Sequence, residues 1–169
     1  PTQGVLVTNG NLTLKSNAVG TAGVNIGSSS GGYISGDVTV ERYLSAHKGW
    51  RFLSVPTGSM QTVRQTWQEG GTGNTVDPVP GYGIQLTGAG GPAAGFDLYT
   101  ATPSMKTYNP LTNTWVGIPN TTSAIIKNTT GYMVFVRGDR TANAFISLPS
   151  QTVLRTKGNL YTGDVSPIS

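Results

Sequence analysis

An all-β chain is what this sequence predicts. Short apolar runs of strand length recur, turn formers separate them, and only one stretch has helical spacing. The 169 residues include 24 Gly and 10 Pro, and only 11 % are charged, against about 25 % in a typical globular domain. Hydrophobic residues stand at 36 %, low for a helical enzyme. Yet Val, Ile, Leu, Tyr, Phe and Trp cluster along the whole chain, which argues against disorder. The length suits one good-sized domain, or one domain with a small appendage.

Residues 1–44 read as a Gly/Asn-rich β segment with strands at 4–8, 11–15, 22–26 and 33–44. Asn9-Gly10 marks a tight turn, because both residues tolerate positive φ. The roughly ten-residue spacing suits either the rungs of a β-solenoid or the first sheet of a sandwich. Residues 45–169 read as a compact β-sandwich or jelly-roll-like domain. Its first strand, Trp50 to Val55, is rich in bulky apolar residues and is expected deep in a sheet. Met60, Val63 and Trp67 share one face of a single short helix, with Ser59 as cap and Gly70-Gly71 as stop.

Farther along, alternation predicts a strand over 82–87, and residues 96–99 follow a Gly-rich insert. Residues 104–118 form a hairpin about Asn109-Pro110-Leu111-Thr112-Asn113. The run 131–137, GYMVFVR, is the most hydrophobic and is expected at the centre of a sheet. Alternating strands over 143–148 and 151–161 complete the domain.

Charge and composition exclude several function classes. The net charge of +4 reflects seven acids rather than an excess of bases, and Lys and Arg are scattered singly, so no nucleic-acid-binding face is expected. With no Cys, thiolate metal sites, Cys nucleophiles and disulfides are ruled out. No run approaches the ~20 apolar residues of a membrane helix, so no membrane insertion is expected. His47 sits in a polar turn with no nucleophile motif near it, and reads as a surface-loop residue rather than a catalytic base. Glu41 is expected to pair across its sheet, and several of the other acids lie next to Gly or Pro in apparent turns.

Two binding chemistries stay open. Calcium is a minor expectation, at Asp97 or Asp77 in Gly-rich loops; otherwise no cofactor is expected. Carbohydrate binding would use exposed rings that stack on pyranose faces, with Trp67, Tyr99, Tyr108 and Trp115 as candidates. Against that, Trp50, Trp67 and Trp115 also read as core fillers. Arg137-Gly138-Asp139 and three Asn-X-Thr triplets read as turn chemistry and chance matches.

The order ISGDVTVERYL, GWRFLSVPT, QTWQEG, PGYGIQLTG, GFD, SMKTYNPLTNTWVGI, GYMVFVRGDR and LRTKGNLYTGD resembles a module of very large secreted or cell-surface proteins of Bacteroidetes-type bacteria. The resemblance covers about residues 10–164 and is carried by the combination rather than by any one motif. It implies an extracellular or cell-surface setting, export by the type IX route, and a domain over residues 45–169 that continues past Ser169. The resulting expectation is a non-enzymatic structural or adhesive module. Its partners would be neighbouring modules or copies of the same protein, joined by strand or edge association. A carbohydrate-binding module, with polysaccharide as partner, is the alternative.

Overall fold

The computed structural model describes residues 4–24, 33–71, 73, 76–142 and 147–161. Within them the chain is all-β and sandwich-like, with open sheets, one short α-helix and a 3-10 turn. Part of the predicted strand over 22–26 and most of that over 143–148 lie outside the described residues.

At the N-terminus, β1 (Val5–Val7) and β2 (Leu12–Leu14) flank the predicted Asn9-Gly10 turn, where φ is 48° and 75°. The turn is a corner, not a hairpin. β1 pairs in parallel with β3 (Tyr33–Ser35), and β2 pairs in parallel with β4 (Asp37–Leu44). The two strand–corner–strand units therefore stack as successive rungs. Thr8 ties them together: its N–H donates to Ser35 O at 2.9 Å and its hydroxyl to Asp37 O at 2.7 Å. Gly36, at φ 94°, lies beneath; a Cβ there would sit 2.8 Å from the Thr8 hydroxyl, so only glycine fits the corner without strain.

β4 also joins the rungs to the main body. Its second edge pairs antiparallel with β10 (Thr152–Leu160), giving a sheet in the order β2-β4-β10-β6, with β6 at Thr57–Gly58. The facing sheet runs β5-β9-β7-β8, from β5 (Gly49–Leu53), β9 (Tyr132–Val136), β7 (Met105–Asn109) and β8 (Thr114–Gly117). β9 is paired on both sides, as its hydrophobicity predicts. The β7–β8 hairpin also forms as expected, with Asn113 at φ 52° in its turn.

Between the sheets lie Leu44, Leu154, Met105, Tyr132, Val134 and Val136, with Val55, Val63, Trp67, Ile84, Leu86 and Phe96 filling from the connections. The helix α1 (Val63–Thr66) is shorter than the periodicity suggests, and its cap is Thr62 rather than Ser59. Thr62 and Gln65 form a reciprocal capping box, satisfying donors that the first turn leaves free. Residues 82–87 are not a strand. Apart from one isolated bridge between Tyr82 and Val153, they run through the interior, with Ile84, Gln85, Leu86 and Thr87 all buried, and the amides of Ile84, Leu86 and Thr87 bond to Trp67 O, Asp97 and Ser104 instead of a ladder. Alternation there reflected burial on every side.

One glycine sets how closely β6 approaches β10. A Cβ on Gly158 would stand 2.2 Å from Gly58 O, backbone against backbone. Gly158→Ala is expected to push β6 off the sheet and cost about 1–3 kcal/mol, the usual range for overpacking. A thermal melt followed by far-UV circular dichroism checks this, and an unchanged Tm would contradict it.

Candidate aromatic face

Strand alternation sends successive side chains to opposite faces, and cross-strand partners share a face. In the β5-β9-β7-β8 sheet, the register pairs Trp50 with Phe135, Phe52 with Met133, Met133 with Lys106, and Tyr108 with Trp115. Those residues form one face. The opposite face carries Met105, Tyr132, Val134 and Val136, and it packs into the core. The outer face is thus aromatic although it is turned to solvent. Phe52 is 73 % exposed, Tyr108 47 %, Trp50 42 % and Trp115 40 %.

The rings pack in two groups, Phe52-Trp115-Tyr108 and Trp50-Phe135, rather than standing as isolated side chains. Phe52 and Trp115 lie 5.8 Å apart between centroids, Tyr108 and Trp115 5.4 Å, and Trp50 meets Phe135 edge-on at 5.3 Å. Two cations adjoin the second group. Lys106 Nζ sits 5.2 Å from the Trp50 ring centre, and the Arg137 guanidinium 4.9 Å from that of Phe135, both within cation–π range. Arg137 is partly desolvated, which pulls its pKa down despite the opposing charge of Asp97, and its Nη1 has no hydrogen-bond partner. The Tyr108 hydroxyl bonds to Asn113 Oδ1 in the hairpin turn, which fixes the ring. Phe52 also borders a cleft of about 640 Å³ lined by Val24, Val40, Arg42 and Tyr161.

Of the four predicted sugar-binding rings, the structure brings together Tyr108 and Trp115. Trp67 must be corrected: it is 2 % exposed and packs edge-on against Tyr132 at 5.5 Å, so no ligand can stack on it. Tyr99 is half-buried in the loop before β7, at φ 118°, and takes no part in the sheet. Trp50 and the strand carrying it also need correction. β5 lies at the edge of its sheet, and its bulky residues face outward. Phe52, Phe135 and Trp50 were missed as site residues, although the Trp-Arg-Phe alternation signals that both rings share a face.

The other candidate groups are engaged elsewhere. Asp97 bonds Arg140, Gln68 and the Leu86 amide, so its oxygens serve an ion pair and not calcium. Asp77 has both carboxylate oxygens shielded and unbonded, and no group of three metal-binding side chains occurs among the described residues. Glu41 does not form the expected cross-sheet pair. It accepts from the Ser16 amide at 3.2 Å, while its register partner Arg155 turns to Glu69 at 2.7 Å. Burial raises the Glu69 pKa against the pull of Arg155, and the bond to Glu69 raises that of Arg155. In the Arg-Gly-Asp tripeptide, Asp139 accepts from the Thr141 amide and hydroxyl and from the Ser150 hydroxyl. His47 is exposed in its loop.

These features define a β-sandwich-like scaffold presenting a fixed aromatic face. Comparison of the chain with protein-family models, curated proteins and solved structures gave no match.

Proposed function

We propose that this chain is a non-enzymatic structural or adhesive module of a large secreted bacterial surface protein, and that the outer face of the β5-β9-β7-β8 sheet is its contact surface. One observation carries the reading: Trp50, Phe52, Tyr108 and Trp115 are exposed together on one sheet face. Contiguous exposed apolar surface of this kind marks binding sites. Aromatic side chains supply large contact areas at low entropic cost, and strand backbones hold them in place. Low charge and the motif order support an extracellular setting. An exposed, isolated His47 supports a role without catalysis.

The adjacent Tyr108 and Trp115 favour a second reading, a carbohydrate-binding module. Both readings use the same face, and one titration separates them. Tryptophan fluorescence is followed while soluble polysaccharides are added, with light scattering on the same samples. A saturable shift that disappears in Trp115→Ala and persists in Trp67→Phe assigns a glycan to this face. No shift with any glycan, together with assembly that Phe52→Ser weakens, supports the structural role. Retention of both signals in Trp115→Ala and Phe52→Ser would overturn the assignment of this face. Trp115→Ala is expected to cost no more than about 1 kcal/mol of stability, because it removes an exposed ring and its aromatic pair.

A further inference from the structure

We infer that the open edge formed by β1 and β2 receives a further rung of chain, parallel to both strands and supplied by a segment preceding Val5 in the same polypeptide. The inference is independent of the aromatic face. It starts from register. Val5, Leu6 and Val7 pair with Tyr33, Ile34 and Ser35, while Leu12, Thr13 and Leu14 pair with Val38, Thr39 and Val40. The outer rung is therefore the inner rung displaced by one strand spacing, with its chain direction kept. Its outward edge has the backbone pattern that the inner rung already offers to it.

Burial points the same way. Val38 in the inner rung is fully covered, its register partner Leu12 in the outer rung is only half-buried, and Val5, Leu6 and Val7 are all exposed, at 44, 55 and 60 %. Three consecutive exposed apolar residues on an unpaired edge are a liability that soluble proteins ordinarily block with charge, proline or a covering element. Here neither Val5–Val7 nor Leu12–Leu14 carries a charge, and the exposed Lys15 comes only after β2. A third rung would cover Leu12 as that residue covers Val38. It would also pair free backbone groups: the Thr8 amide points to Ser35, so by alternation the Val7 amide points to the open side.

A second copy fits poorly as the occupant. The inner rung's far edge at β4 is taken by β10, so no copy can continue the stack in parallel, and two copies can meet only head to head. A covalent upstream rung needs only the connection already used once, from β2 to β3.

The test adds a second copy of residues 5–32 ahead of Val5 in the full chain. The expected result is a Tm several degrees higher and Val7 amide exchange slowed by about tenfold or more, as local opening becomes costlier. The same extension with proline at the added positions matching Val5, Leu6 and Val7 should show neither gain, because proline cannot donate to the ladder. An unchanged Tm with Val7 exchanging as before would overturn the inference. So would a concentration-dependent dimer of the original chain that Leu6→Lys abolishes, since the edge would then serve self-association.

Discussion

Arg140→Met is expected to destabilise the protein by about 3–5 kcal/mol, the loss typical when one partner of a buried ion pair is removed. The Arg140 and Asp97 side chains are both fully buried, with Nη2 at 2.8 Å from Asp97 Oδ1. The guanidinium also donates from Nε to Val76 O at 3.0 Å, from Nη1 to Ile84 O at 2.9 Å, and from Nη2 to Gly73 O at 2.7 Å. It thereby ties Gly73, Val76 and the buried 82–87 segment to Asp97. Removing it strands a carboxylate in the interior and leaves three carbonyls without their donor. Arg140→Lys should recover little, since a single ammonium cannot reproduce the planar fork. The double variant Arg140→Met with Asp97→Leu should regain part of the loss, because no unpaired charge then remains. Urea unfolding gives the free energies; a single-variant loss under about 1 kcal/mol would show that water or rearrangement replaces the pair.

The same network shows where sequence reading stops. Asp97 and Arg140 lie 43 positions apart, each beside turn formers, and nothing local marks either as half of a buried pair. Nothing local signals that Gly71 must lack a side chain, yet a Cβ there would meet Arg140 Nε at 2.5 Å. Local chemistry was more legible. The β7–β8 hairpin follows from its Asn-rich turn, β9 from its apolar run, and the corner at Asn9-Gly10 from positive-φ residues. The faces were harder to read. In Trp50-Arg51-Phe52-Leu53 both parity sets contain apolar residues, so periodicity locates the strand without saying which set meets the second sheet. The bulkier set faces out, which turned an expected core strand into the edge of the candidate site. The reverse error occurred at Trp67, whose burial depends on long-range packing against Tyr132.

Trp67→Ala is expected to cost about 3–5 kcal/mol, the range for deleting a large buried aromatic side chain. The ring lies between the sheets with Val63, Leu154 and Tyr132 in the same core cluster, and it follows directly on α1. That helix has four residues, too few to hold without tertiary docking, so the capping box at Thr62 and Gln65 cannot keep it in place alone. Losing Trp67 therefore removes both core volume and the anchor of the helix. Ile84 N–H donates to Trp67 O at 2.7 Å, so a displaced helix would also pull on the buried segment that carries the Arg140 network. Trp115→Ala serves as the control, a ring of the same type 40 % exposed on the outer face. If urea unfolding gives the two alanine variants similar stability losses, Trp67 does not anchor the core as argued. A large loss at Trp67 beside a small one at Trp115 would separate the ring that holds the sandwich together from a ring left free to meet a partner.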